Sequence, residues 1–222
     1  MVAVEQLGVV VAEQLAGDVE RFDRREPCGR IVELYGEDIA AASKRHRIAP
    51  ELIIMTIATE TAAYRNQGFT GPKTFRWEIG VTLGYTGDAN IDGKERGDYS
   101  AGPMQVLSTT ARWMNVSQKL GHAQTQFPWF KNKPAAPKSG ELGLYDGALA
   151  TDIGAAYIAF QSEVPFATPT GGDPILVAAA YNAGSLKPSG TNNWGLVSHG
   201  DHLDRASKWF GDACAVLRSL GR

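Results

Sequence analysis

Residues 50–64 read PELIIMTIATETAAY and form the most informative segment of the chain. Pro50 favours the first turn of a helix, where its missing N–H costs nothing, so the segment is predicted to begin a helix there. Apolar residues then follow with no polar stripe, and the predicted helix is apolar around nearly its whole circumference. A helix of this kind is buried in the middle of a domain. We therefore expect the rest of the chain to pack around residues 50–64.

The flanking segments predict a mainly helical protein with one small sheet. Residues 74–100 are rich in β-branched and aromatic residues with Gly-Asp turns, which is typical of a β-hairpin. Helical spacing of apolar residues, together with an Asp173 cap and a Gly184 stop around one helix, predicts further helices. These lie at residues 4–22, 31–46, 109–116, 148–161, 174–183 and 202–220. The fold class is thus mainly α (α+β), with residues 1–30 as an N-terminal helical extension and residues 31–222 as the main domain.

Composition places the chain among ordinary globular proteins. It has 222 residues, 43% hydrophobic, and its 22 basic and 24 acidic residues leave a net charge of −2. This balance favours neither nucleic acid nor an anionic membrane as a partner, and no apolar run is long enough for membrane insertion. The first residues carry Glu5 where a signal peptide carries Lys or Arg, so we expect synthesis in the cytoplasm without a signal peptide.

Cysteine and histidine give little indication of a special site. The two cysteines, Cys28 and Cys214, are too few for a disulfide framework, and we expect free thiols, with a single bridge as the alternative. The four histidines show no spacing typical of a zinc site.

Glu60 is the candidate for chemistry on the predicted central helix. It shares a helix face with Thr56 and Ile57. A carboxyl group on an apolar face is desolvated, which favours the protonated acid, and such an acid can donate a proton to a leaving oxygen. Two other interpretations remain: a buried Glu paired with an Arg, or a glutamate at a helix end that points into solvent.

Two further segments carry candidate binding residues. Residues 100–107, SAGPMQVL, contain Gly102, which permits close backbone approach to a ligand, and Gln105, whose amide can donate and accept hydrogen bonds. Residues 178–184, AAAYNAG, place Tyr181 and Asn182 in the last turn of a helix. Taken singly, the first segment could be only a glycine turn and the second only a close helix contact.

In this order, the three segments resemble the lytic transglycosylase and goose-type lysozyme group of the lysozyme-like superfamily. That group has Glu followed by Ser or Thr at the end of a buried helix, here ATET at 58–61. It continues with Gly-Leu-Met-Gln leading to Thr-Ala, here GPMQ at 102–105 and Thr110-Ala111, and with AYNAG, unaltered at 180–184. The resemblance covers residues 49–184. Pro103 in place of Leu and a longer hairpin before Met104 depart from the group's pattern.

The resemblance implies a lysozyme-like catalytic domain over residues 31–222 and a role for each matching residue. Glu60 corresponds to the catalytic acid, and Tyr181 to a tyrosine that hydrogen-bonds and orients it. Gly102, Met104 and Gln105 correspond to the floor of a glycan cleft, and Asn182 joins them as a substrate-binding residue.

The predicted hairpin carries an acidic loop. Its residues 88–93, DANIDG, match the first half of an EF-hand loop, so Asp88, Asn90 and Asp92 are candidate Ca²⁺ ligands, with Asp98 near the position of the missing Glu. The same residues also suit an ordinary turn, and no cofactor is required by the expected chemistry. Asp88, Asp92, Glu95 or Asp98 could instead serve as a base that holds a water about 6.5–9.5 Å from the acid.

The resemblance implies an enzyme that cleaves the β-1,4 bond between N-acetylmuramic acid and N-acetylglucosamine in peptidoglycan. We expect a lytic transglycosylase that leaves 1,6-anhydro ends, because only one carboxyl group is assured. The alternatives are a hydrolase (muramidase) that uses a hairpin acid, a relative that cleaves chitin, and a non-catalytic glycan-binding module on the same fold. The expected partner is the glycan strand alone, bound by a monomer, and action at the cell wall suits phage lysis or delivery by a virion or secretion apparatus.

Overall fold

The structure is a computed structural model that describes residues 27–61, 74–82, 95–130, 133–135, 137–138, 141–163 and 168–220. The described part contains six α-helices and one three-stranded antiparallel sheet, which confirms the mainly α (α+β) class. The elements follow the order α1 (Pro27–His46), α2 (Pro50–Thr61), β1 (Phe75–Thr82), β2 (Glu95–Ala101), β3 (Val106–Leu107), α3 (Ser108–Ser117), α4 (Gly147–Ser162), α5 (Pro174–Ala183) and α6 (His202–Ser219). Short 3₁₀ turns stand at Gln124–Gln126 and Gly143–Tyr145.

Helix α2 is the centre of the domain, as its sequence predicts. All its residues except Pro50, Glu51 and Glu60 are buried. It packs chiefly against α1 and α6, and it also contacts α4 and α5. A helix enclosed on nearly every side needs apolar residues around its circumference, which explains the absence of a polar stripe.

Helix α1 begins earlier than the sequence analysis predicts. The predicted start at residue 31 is wrong, because Pro27 is the first residue of α1. Proline is accepted at this position because the first N–H of a helix has no partner within the helix. Cys28 and Ile31 of this turn are buried in the common core. The predicted helix at residues 4–22 lies outside the described residues.

The predicted hairpin is confirmed, and it gains a third strand. Strands β1 and β2 pair antiparallel, with Arg76 opposite Ser100 and an irregularity between Glu78 and Val81. Strand β3, which the sequence analysis did not predict, pairs with the end of β2 and leads directly into α3. The turn between β2 and β3 contains the GPMQ motif, so the sheet determines where that motif lies.

The remaining expectations on helices and cysteines are also met. Asp173 accepts hydrogen bonds from the N–H groups of Ile175 and Leu176, and Gly184 ends α5 with a φ of 73°. Cys28 and Cys214 are not joined in a disulfide. Across the described residues, no helix is both long and apolar enough to span a membrane.

Candidate active site

Glu60 lies at the penultimate position of α2, where the buried helix reaches the sheet. Its side chain is 11% exposed. The Arg76 guanidinium on β1 lies beside it, with Nη1 3.9 Å from the Glu60 Oε2, and Arg76 Nη2 donates to the Glu60 main-chain carbonyl at 3.1 Å. The structure therefore combines the desolvation and the nearby arginine that the sequence analysis treated as alternatives. Burial favours the neutral acid, while the arginine favours the carboxylate.

A second arginine holds the same end of α2. Arg205 on α6 donates to the main-chain carbonyl of Thr59 and also pairs with Asp201 at 2.9 Å. The last carbonyls of a helix lack partners within the helix and carry a partial negative charge, which cationic side chains stabilise. The last turn of α2 contains no basic residue of its own. Arg76 and Arg205 thus restrain the backbone that carries Glu60, and the sequence analysis identified neither of them.

Tyr181 lies close to Glu60 but has a different partner from the one that the resemblance implies. Burial raises the pKa of Tyr181 well above its ordinary value, and the charges of Glu60 and Tyr157 raise it further. The Tyr181 hydroxyl donates to the main-chain carbonyl of Met104 at 2.9 Å. Its single hydrogen is thus directed at the GPMQ turn rather than at the Glu60 carboxylate. We correct its expected role: Tyr181 joins α5 to this turn beside Glu60.

Gly102 and Met104 are buried beneath the site. The φ of Gly102 is +74°, and a Cβ at this position would lie 1.6 Å from the carbonyl oxygen of Leu144. Glycine is therefore required by another part of the backbone, and the expected approach of a ligand stays a prediction. Met104 is 0% exposed and fills the space over Gly154 of α4, where an added Cβ would lie 2.3 Å from its Cε. Both residues support the site from within the core.

The Gln105 amide is used inside the protein. Its Nε2 donates to the carbonyls of Thr74 at 2.9 Å and Gly102 at 2.8 Å, and its Oε1 accepts from the Ser100 hydroxyl at 3.2 Å. The backbone of Gln105 adopts a φ of 48°, which is unusual for a residue with a side chain. These contacts hold the turn against the start of β1 and give Gln105 a positioning role, while its expected contact with substrate stays a prediction.

The side-chain oxygen of Asn182 also takes part in a hydrogen bond within the protein. Its Oδ1 accepts the main-chain N–H of His199 at 3.1 Å. This bond ties the segment before α6 to the end of α5, beside Tyr181. Asn182 therefore positions a surface segment at the edge of the candidate site.

Asp98 is a structural residue of the sheet and α3. It is 1% exposed, and its carboxylate accepts from the N–H groups of Tyr99 at 2.8 Å and Thr109 at 3.2 Å and from the hydroxyls of Ser108 and Thr109. A carboxylate with four donors stabilises the start of α3 and has little capacity left for a metal or a water. This corrects its candidacy as a ligand or a base.

The other candidate Ca²⁺ ligands and bases of the hairpin belong to the part of the chain that is not described. Asp88, Asn90 and Asp92 lie outside the described residues, and so does the side chain of Glu95. Within the described ranges, no three His, Cys, Asp or Glu side chains are grouped so that they could hold a metal ion.

A second polar cluster, absent from the sequence analysis, lies between α1 and α4. Asp152 accepts from Arg45 at 2.7 Å and is bonded to the ring nitrogens of His46 at 2.7 Å and His122 at 2.8 Å. Burial tends to raise the pKa of Asp152, but the two histidine hydrogen bonds and the Arg45 charge outweigh it and lower the pKa. Histidine spacing gave no signal because these side chains meet only in the folded chain.

Around Glu60 the arrangement is suited to proton transfer. A largely buried carboxyl group stands on a restrained helix end, next to a fixed positive charge and a neutral tyrosine. Such a group can donate a proton and take one back. Comparisons with protein-family models, with curated proteins and with solved structures found no match for this chain.

Proposed function

We propose that this protein is a peptidoglycan-cleaving enzyme that acts on the β-1,4 bond between N-acetylmuramic acid and N-acetylglucosamine, with Glu60 as its proton donor. The observation that carries the proposal is the position of Glu60: its side chain is 11% exposed, at the end of the central helix, beside the turn and the tyrosine of the other two motifs. A binding module has no need of a carboxyl group held in this way.

The proposed reaction is that of a lytic transglycosylase. The Glu60 carboxylic acid gives its proton to the glycosidic oxygen as the bond from that oxygen to C1 of the muramic acid breaks and an oxocarbenium-like centre develops. The 6-hydroxyl of the same sugar then attacks C1 and forms the 1,6-anhydro ring. Its proton passes to the Glu60 carboxylate, which regenerates the acid. No water is consumed, and the attacking hydroxyl is already part of the same sugar, so no second molecule has to be bound and oriented.

The occupied state of Asp98 supports this outcome over hydrolysis. A hydrolase of the inverting type needs a second carboxylate that is free to activate water. Asp98 was one of four hairpin candidates for that base, and its oxygens already accept four hydrogen bonds. Mass analysis of the muropeptides tests this point. Anhydro ends support the transglycosylase, whereas reducing ends that carry one additional water support a muramidase.

Replacement of Glu60 by Gln tests the enzyme proposal. Gln retains the size of the side chain but cannot donate a carboxylic proton, so turbidity clearing of purified cell walls should fall by about 10²–10⁴-fold, or more if Glu60 also acts as the base. Glu51→Gln is the matched control, because it makes the same change in the first turn of the same helix. It should leave clearing unchanged.

Two outcomes would contradict the proposal. Near-normal clearing by a folded Glu60→Gln protein would remove Glu60 from the chemistry. Sedimentation of the wild-type protein with cell walls, without release of any muropeptide, would favour the glycan-binding module.

A further inference from the structure

Arg76 is the charged residue whose position relative to Glu60 is most closely defined. It stands opposite Ser100 in the pairing of β1 with β2, so the sheet fixes its backbone. Its Nη2 donates to the Glu60 main-chain carbonyl at 3.1 Å, while its Nη1 lies 3.9 Å from the Glu60 carboxylate. The first contact anchors the guanidinium to the helix end, and the second brings its charge to the proposed acid.

The distance between the two charged groups matters for the proposed chemistry. At 3.9 Å, Nη1 and Oε2 are too far apart for a hydrogen bond, so this contact is a charge interaction. Arginine remains protonated at every pH at which proteins are folded, so its charge is permanent. The charge favours the carboxylate over the neutral acid. Its effect is increased by the low exposure of Glu60 and reduced by the 38% exposure of the Arg76 side chain.

Of the described residues, three others are placed near Glu60 or its helix end, and none of them brings a second unbalanced positive charge to the carboxylate. From α5, Tyr181 stays neutral because burial raises its pKa well above the ordinary value, and Tyr157 of α4 packs against the Tyr181 ring. From α6, Arg205 is bonded to the carbonyl of the preceding residue, and its charge is partly balanced by Asp201 at 2.9 Å. Within the part of the chain that the structure describes, Arg76 is thus the arginine whose guanidinium lies next to the carboxylate itself.

We propose that Arg76 is a positioning residue that sets the pH range in which Glu60 can act as an acid. The inference rests on the proposed function. The arginine makes Glu60 a stronger acid for the first proton transfer and stabilises the carboxylate that must later accept the proton of the 6-hydroxyl. The cost is that Glu60 loses its proton at a lower pH, so the arginine restricts activity on the alkaline side.

The pH dependence of wall clearing tests this role. The alkaline limb of the profile of kcat/KM reports the proton on the essential acid. Without the charge of Arg76 that limb should move to higher pH by about one unit, the lower end of the range for an adjacent arginine because the side chain is partly exposed. Two variants remove the charge: Arg76→Gln, which keeps a side-chain N–H donor, and Arg76→Met, which does not. Arg76→Lys keeps the charge and should keep the limb within a few tenths of a unit.

Arg218→Gln serves as the matched control. Arg218 also donates to a main-chain carbonyl in the last turns of a helix, that of Cys214 at 3.1 Å, but it belongs to the end of α6. Its replacement should leave the whole profile unchanged. Circular dichroism and urea unfolding identify which Arg76 variants are folded, and either charge-removing variant is sufficient for the test.

The results separate this inference from the proposed function. A uniform loss of rate with an unmoved alkaline limb in a folded Arg76→Gln or Arg76→Met protein would overturn the inference and leave Arg76 with a purely structural role. The proposed function would still stand if Glu60→Gln is inactive. Retained clearing by Glu60→Gln would instead overturn the proposed function, and the inference with it.

Discussion

His202 offers a quantitative test of the described packing. It is the first residue of α6 and is 4% exposed. Burial lowers the pKa of His202 from the ordinary 6.5 to about 4, and the charges of Arg205 and His199 act in the same direction. A hydrogen bond with the backbone of Ala178 and the charge of Asp201 oppose this change without reversing it.

The direction of the pH effect follows from these values. Between pH 6.5 and about 4 the unfolded chain binds a proton at this residue and the folded protein does not. The stability gained by keeping His202 neutral is therefore complete above pH 6.5 and is lost as the pH falls. The pKa of His202 falls from 6.5 to about 4 on folding. At about 1.4 kcal/mol per pKa unit, the full pH-dependent contribution to the free energy of unfolding is about 3 kcal/mol. About 2 kcal/mol of it is lost between about pH 7.5 and pH 5.

Urea unfolding at these two pH values measures the effect, with His202→Gln as the perturbation. Gln cannot titrate, so the wild-type protein should lose about 2 kcal/mol more of its free energy of unfolding than the variant. Other ionisable groups affect both proteins and cancel in the comparison. His199→Gln replaces an exposed histidine three residues earlier. It should lose nearly as much as the wild type, because the His199 charge is only a lesser cause of the lowered pKa of His202. Equal losses in the wild-type protein and His202→Gln would refute the reasoning, since His202 would then titrate alike in the folded and unfolded states.

Three other predictions concern buried residues whose partners the structure identifies. Gly102→Ala should lower the free energy of unfolding by about 4 kcal/mol or more, because its Cβ would overlap the Leu144 carbonyl. Gly184→Ala, at a similar φ with nothing within 4 Å, should cost only about 1–2 kcal/mol, and equal costs in urea unfolding would contradict the described contact. Asp152→Asn should destabilise the protein by about 2 kcal/mol near pH 7. Folding lowers the pKa of Asp152, so the stability that its carboxylate contributes is present above pH 3.8, its ordinary pKa, and is lost at lower pH. If Asp152→Asn destabilises the protein equally in acid and near pH 7, that result would count against the cluster. Asp98→Asn should lower the melting temperature without changing the proportion of anhydro to reducing ends, whereas loss of reducing ends alone would restore Asp98 as a base.

Much of the architecture could be predicted from neighbouring residues in the chain. The apolar circumference of α2, the Asp173 cap with Gly184 at the end of α5, and the β-rich pattern before the GPMQ turn are all visible as patterns of residues a few positions apart. Such short-range preferences are present in the local sequence itself. The predicted start of α1 was wrong because a proline such as Pro27 can either end one helix or begin the next.

The candidate site was predicted as a set of residues but not as a set of contacts. Glu60, Tyr181 and the GPMQ turn are brought together, yet Tyr181, Arg76 and Arg205 each donate a hydrogen bond to a main-chain carbonyl of this region. Every residue carries such a carbonyl, so no side-chain pattern marks the one that will be used. The same is true of Gly102, whose glycine is required by the carbonyl of Leu144 far along the chain. Side-chain type and short-range spacing are properties of the sequence, whereas the partner of a polar group depends on which distant backbone the packed helices bring within about 3 Å.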